Sequence, residues 1–327
     1  MADVLFDATD ARFVLFPLRS PAIFEKYKDA RDVFWVPNEV NIEPSEIEQF
    51  QNLKEEEKHV ILKVLAFFAN ADNIVIENLL TNFTQDVHLM EAKLFFSFQA
   101  AMESIHSEMY ALLINAYAKD KEQRHQLFNS IKNDPIVKMK TDFAIKWMNS
   151  TAPFSERAVA FACLEGILFS SSFAFIYYFK KRGLLPALTL SNEFISRDER
   201  MHADFAVLLV NMFDSYTPEV DPLITRPSDQ TILHIIQEAV DIECHFVDSC
   251  LEFDLIGLSS TDMRIYVQFV ADMMLTGLKC DKYYKSKNPL DYMHMISLDT
   301  RTNFFESRSS QYQKSETTTD KFIDEDF

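Results

Sequence analysis

Only four glycines occur in 327 residues, Gly166, Gly183, Gly257 and Gly277, and this scarcity narrows the available folds more than any other feature. A doubly wound sheet or a β-sandwich spends glycine wherever a turn needs positive φ or a loop must approach a phosphate. A chain so poor in it is expected to be helical. The prolines agree: they stand at 17, 21, 37, 44, 135, 153, 186, 218, 222, 227 and 289, leaving long stretches in which apolar residues recur three and four apart. Helices are expected near 45–81, 87–118, 135–148, 154–182, 187–213, 229–256 and 260–285. Pro44-Ser45 with Glu48 has the form of a capping box, and Lys180 to Gly183 followed by Pro186 that of a helix C-terminus. With 48% hydrophobic residues the chain can bury one large core.

A formal net charge of −18 with no basic patch argues against nucleic acid as a partner. The four cysteines, Cys163, Cys244, Cys250 and Cys280, form no Cys-x-x-Cys pair for zinc or dithiol chemistry, and a reducing, cytoplasmic setting fits them. The N-terminal MADVLFDATD has acids where a secretory signal needs a basic region. Residues 159–179, VAFACLEGILFSSSFAFIYYF, are long enough to cross a bilayer and are followed by Lys180, Lys181 and Arg182. Glu165 within them argues instead for a buried core helix that holds a ligand, so no membrane association is expected.

Glu-x-x-His puts a carboxylate and an imidazole one turn apart on nearly the same helix face, the way helical bundles present a metal-ligand pair. The spacing occurs at Glu56/His59, Glu103/His106, Glu122/His125 and Glu199/His202. The first and third lie in the charged runs KEEEKH and KDKEQRH and read as solvated faces. The second and fourth lie in the amphipathic stretches AAMESIHSEMYALLI and ISRDERMHADFAVLLV. Asp72 precedes Glu103 by 31 residues and Glu165 precedes Glu199 by 34, so each half of the chain offers one carboxylate and then a Glu-x-x-His pair. Six ligands from four helices would surround two cations. Any one of these acids could instead cap a helix or pair with a buried lysine, but two matched sets are hard to explain that way. Four carboxylates in an apolar core would be prohibitively costly without divalent cations. Oxygen-rich ligation with two imidazoles suits iron or manganese. Glu77 and the run Glu238, Asp241, Glu243 with His245 lack the duplicated spacing and read as solvated groups or as supports for the ligands. Tyr110, four residues after His106, falls on the same face near the proposed metals, where an oxygen-activating centre could oxidise it to a radical.

The motifs ESIHSEMY, SRDERMH and FFANADNIVIENL resemble those of the small, radical-generating subunit of class I ribonucleotide reductase of the eukaryotic and viral type, over roughly Phe34 to the last residue. The resemblance implies an all-α, ferritin-like helical bundle with additional helices and a flexible C-terminal tail, working as a homodimer. It implies two iron ions per chain, with manganese also compatible, on Asp72, Glu103, His106, Glu165, Glu199 and His202, and a stable radical on Tyr110. Phe169, Phe173 and Ile195 match the apolar pocket around that tyrosine. Trp35 matches a near-surface tryptophan on a long-range electron path, linked to the metal through Asp198 and His106. Arg197 matches a residue implicated in proton movement, and Tyr312 the tail tyrosine that relays the radical to the large catalytic subunit, which reduces ribonucleoside diphosphates. Residues 1–305, with an N-terminal segment 1–40 carrying Trp35, would form the di-iron domain. Residues 306–327 would be the tail that docks the large subunit through Phe322 and Phe327. Arg200, beside Glu199, departs from the small residue common in the family, and the closing FIDEDF has its first phenylalanine one residue nearer the end.

Two other readings share parts of this pattern. Another ferritin-like di-iron oxidase would use the same ligands but has no need of Trp35 or Tyr312. An iron-storage protein needs no radical tyrosine.

Overall fold

In the computed structural model, which describes residues 3–7, 14–118, 120–215, 225–252 and 254–293, the described residues form helices and connections with no strand among them. The proposed tail, 306–327 with Tyr312, Phe322 and Phe327, lies outside the described residues. Helices α1 (Pro21–Asp32) and α2 (Pro44–Gln51) lead into α3 (Glu55–Asn78) and α4 (Met90–Tyr117). Two short helices, Lys121–Phe128 and Ser130–Asn133, precede α5 (Pro135–Met148). Next come α6 (Phe154–Cys163), a π-turn at Leu164–Leu168, and α7 (Ser170–Lys181). The chain continues through α8 (Pro186–Asn211), α9 (Asp229–Cys250) and α10 (Ser260–Gly277).

Two helix pairs build the centre: α3 lies along α4, and α6 with α7 lies along α8, while α4 meets α8 and α7 meets α3. Helix α9 covers the π-turn and packs on α5, α6 and α10. The seam of α4 and α8 is aromatic, with Phe95 stacked on Phe205 and Phe96 edge-on to the same ring. Each such fully buried phenylalanine contributes roughly 1.5–3 kcal/mol of transfer free energy. Helix α8 is fixed at its start by Glu46, a fully buried carboxylate that accepts the N–H groups of Ala187 and Leu188 at 2.7 and 3.0 Å and the hydroxyl of Tyr117. This bond set satisfies amides that open the helix and ties α2, α4 and α8 together.

The expected helix 45–81 is two helices, because the chain turns at Asn52–Lys54 before Glu57 accepts the Lys54 N–H at 3.0 Å and starts α3. Ser45 does not cap: Pro44 is the first helical residue and makes no demand for a capping acceptor, since it has no N–H. The expected 229–256 and 260–285 end early, at Cys250 and Gly277. The end of α7 follows expectation. Gly183 has φ +68°, its N–H bonds to the Lys180 carbonyl, and the Leu184 N–H bonds to that of Phe179. The most apolar 18 residues within Phe154–Lys181 are 94% buried inside the protein, so this stretch is core.

Candidate metal centre

The four central helices bring six expected ligands to one place. Asp72 comes from α3, Glu103 and His106 from α4, Glu165 from the π-turn, and Glu199 and His202 from α8. None is more than 2% exposed. Their ligand atoms fall into two groups, Glu103 with Glu165, Glu199 and His202, and Asp72 with Glu103 and His106, each within 4.8 Å of one another. Glu103 belongs to both. His106 Nδ1 lies 2.9 Å from Glu199 and 3.2 Å from Glu103, while His202 Nδ1 lies 2.8 Å from Glu199 and 3.0 Å from Glu103. Both imidazoles thus turn Nδ1 inward to the carboxylates.

The surroundings fit a pair of cations. His106 Nε2 lies 3.1 Å from Asp198, the outer hydrogen bond that orients a ligating histidine. Gln99, which the sequence reading did not select, donates to Glu165 at 3.0 Å. Neither carboxylate oxygen of Asp72 meets a donor from another residue, a costly state for a buried group unless a cation takes its place. Burial first, and then the neighbouring carboxylates, push Asp72 and Glu165 well above the usual carboxylate range. Burial opposes ionisation of Glu103 too, but the charge on His202 and the hydrogen bonds from both histidines outweigh it and hold Glu103 down to about 2. Burial would lower both histidines; Glu103 and Glu199 outweigh it and raise His202 to about 9, and Glu199 with Asp198 raises His106.

Without metal at neutral pH, His202 therefore carries a proton, and burial favours the protonated forms of Asp72 and Glu165. A ligating imidazole must be neutral and a ligating carboxylate ionised, so cations displace these protons. Metal uptake should release protons in weakly buffered solution, and affinity should fall as pH drops below about 9, where His202 takes its proton back. Anaerobic titration with Fe(II), followed by pH-stat, checks this; uptake without proton release would contradict the geometry.

Tyr110 is buried beside this cluster. Burial, then Asp72, Glu199 and Glu103, hold its phenol well above the usual range, and its hydroxyl has no hydrogen-bond partner. Phe68 stacks on its ring, centroids 4.6 Å apart, and packs on Phe169 and Phe173 at 5.4 and 5.2 Å. Phe169 and Phe173 were expected there; Phe68 was not. Ile195 is fully buried on α8.

Trp35 lies just beneath the surface, itself only 2% exposed and covered by the half-buried Phe194. Its Nε1–H donates to Asp198 at 2.8 Å, and its ring stacks on His106 with centroids 6.0 Å apart. Arg197, whose side chain is 25% exposed, donates to the other Asp198 oxygen and to the Val33 carbonyl.

Glu56, His59, Glu122 and His125 are exposed, as their charged surroundings suggested, and so are Glu77, Asp241 and His245. Glu243 is not solvated: it is fully buried against Lys140. Arg200 points away from the ligands, its side chain 60% exposed and 4.0 Å from Asp204.

The family model described as "Ribonucleotide reductase, small chain" matches residues 12–289. The protein is 48% identical over 304 residues to the ribonucleoside-diphosphate reductase small chain of Spisula solidissima, covering 93% of its own length and 76% of that relative. It is 47% identical over 322 residues to the subunit M2 of Danio rerio, covering 97% and 81%. Its fold is similar to that of the ribonucleotide reductase Rnr4 homodimer from Saccharomyces cerevisiae, with a TM-score of 0.77 at 31% identity over 95% of this protein and 93% of that one. By sequence, by its ferritin-like helical fold and by its buried carboxylate–histidine centre, this protein belongs to the family of ribonucleotide reductase small chains.

Proposed function

We propose that this small subunit serves ribonucleoside-diphosphate reductase by holding two iron ions on Asp72, Glu103, His106, Glu165, Glu199 and His202 and keeping a stable radical on Tyr110. One observation carries the reading: two overlapping ligand groups share Glu103, beside a buried tyrosine whose hydroxyl has no partner. Manganese would find the same ligands acceptable. When bound, the metal pair supplies the oxidising power that takes an electron from Tyr110.

The residues around it do the rest. Forming a neutral radical on Tyr110 takes the phenolic proton as well as an electron, and the carboxylates of Asp72, Glu199 and Glu103 beside it are the bases toward which that proton would move. Phe68, Phe169 and Phe173 keep water and reductants from the ring, and Ile195 adds to the apolar surroundings. Asp198 joins His106 Nε2 to Trp35 Nε1–H through one oxygen, and Arg197 balances its charge through the other. This continuous hydrogen-bonded chain supports a path by which the oxidising equivalent leaves toward Trp35. The reading extends to the tail, where Tyr312 would pass the radical on and Phe322 and Phe327 would dock the large subunit from residues 306–327. Residues 1–305 would be the metal-holding domain, assembled as a homodimer like the yeast Rnr4 protein and working in the cytoplasm.

The test is an electron paramagnetic resonance spectrum taken after ferrous iron and oxygen are added to metal-free protein. A tyrosyl signal is expected in the native protein and none in Tyr110→Phe, with iron uptake the same in both. A signal that survives in Tyr110→Phe would place the radical on another residue.

A further inference from the structure

Behind the metal centre lies a charge pair that the ligand set does not use. Lys140 on α5 and Glu243 on α9 are both fully buried, with Lys140 Nζ 2.9 Å from Glu243 Oε2. Such a pair gains little over apolar side chains of similar volume, because desolvating two charges offsets most of their attraction. Its neighbours show what else it does. Glu243 Oε1 accepts both the backbone N–H of Ser171, at 3.1 Å, and the Ser171 hydroxyl. Ser171 is the second residue of α7, where regular helix resumes after the π-turn that carries Glu165. Amides at a helix start are short of partners within it, and Glu243 supplies one from outside.

The other half of the pair faces the aromatic wall. The Lys140 ammonium lies 3.4 Å from the ring centroid of Phe67 and 3.8 Å from that of Phe246, an aromatic sandwich that favours a cation. Phe67 packs on Phe68 and Phe169 at 5.6 and 5.2 Å, and Phe68 is the ring stacked on Tyr110.

We propose that Lys140 and Glu243 are a positioning pair for the radical site: Glu243 anchors the π-turn that presents Glu165, and Lys140 holds the Phe67–Phe68–Phe169 wall against Tyr110. The inference rests on Tyr110 being the radical residue.

Two double variants, both without buried charge, test it. In Lys140→Met/Glu243→Gln the amide oxygen still accepts from Ser171, whereas in Lys140→Met/Glu243→Leu the acceptor is gone. Radical half-life and line shape are read by electron paramagnetic resonance at matched iron content, beside the Tm of the metal-free proteins. The leucine variant should shorten the half-life about tenfold and change the line shape, the scale on which outer partners of metal sites act, while the glutamine variant, which keeps the Ser171 acceptor and loses only the Lys140 contact with the wall, should shorten it about threefold. Native decay and line shape in both variants, whatever their Tm, would overturn the proposal. Ser171→Ala removes one hydroxyl donor and serves if the leucine variant does not fold; it should shorten the half-life about threefold, as losing one hydrogen bond would, and unchanged decay there is equally fatal. A native protein with no tyrosyl signal would overturn the Tyr110 reading itself, a result distinct from any the variants give.

Discussion

Glu103→Ala should empty both metal positions at once, whereas Asp72→Ala or Glu165→Ala should weaken chiefly one. Glu103 is the one residue common to the two ligand groups, and its two oxygens face both imidazoles, at 3.2 Å from His106 and 3.0 Å from His202. Removing one partner from a buried charged cluster costs about 3–5 kcal/mol. For a ligand shared by two cations that becomes a weakening of more than about a hundredfold at each. Metal content after equilibrium dialysis reads the effect directly. His59→Ala and His125→Ala are the controls, since both rings are exposed and should leave metal content unchanged. Equal losses from Glu103→Ala, His59→Ala and His125→Ala would show that Glu-x-x-His spacing, and not burial, decides ligation. Retention of one full metal equivalent by Glu103→Ala would show that the two groups do not share it.

The ligand cluster was legible because its signal is periodic and repeated: a one-turn spacing on an amphipathic helix, offset by a similar interval from a lone acid, in both halves of the chain. Charge context also separated the buried pairs from the exposed ones, although within KEEEKH itself Glu57 and Lys58 are buried while Glu56 and His59 face solvent. What stayed hidden depends on contacts between distant segments. Lys140 sits in PIVKMKTD, where a lysine two residues after another reads as solvated, and only the approach of Glu243 from α9 allows its burial. Glu46 and Gln99 likewise look like ordinary surface residues until α8 and the π-turn come to meet them. The π-turn was not read from LEGIL, since it adds a residue to the helix without a proline, and Glu165 and Gly166 there fit a regular helix as well. Trp35 was found through the family resemblance of FWVPNEV, whereas the ring that covers it was not legible. The neighbouring Phe194, fixed by the α8 register, covers it.

Trp35→Phe should form the Tyr110 radical normally and yet support almost no nucleotide reduction. The indole stacks on His106 and donates to Asp198, so it is the aromatic residue joined both to a metal ligand and, through Asp198, to Arg197. Phenylalanine keeps an apolar ring in a site that is only 2% exposed, but it has no N–H to complete the bond to Asp198 and is far harder to oxidise. Metal uptake should change little, because His106 keeps its own bond to Asp198 at 3.1 Å. Turnover with the large subunit should then fall on the order of a hundredfold or more, the scale seen when a reacting group loses its alignment. Tyr312→Phe should behave alike, because phenylalanine there would dock but could not give up a phenolic proton. Deleting residues 321–327, with Phe322 and Phe327, should instead remove binding to the large subunit while leaving the radical intact. The three variants separate making the radical from moving it and from docking. If Trp35→Phe turned over at the native rate, the His106–Asp198–Trp35 chain would be only a means of orienting the ligand histidine, and the radical would have to leave the metal centre by another route.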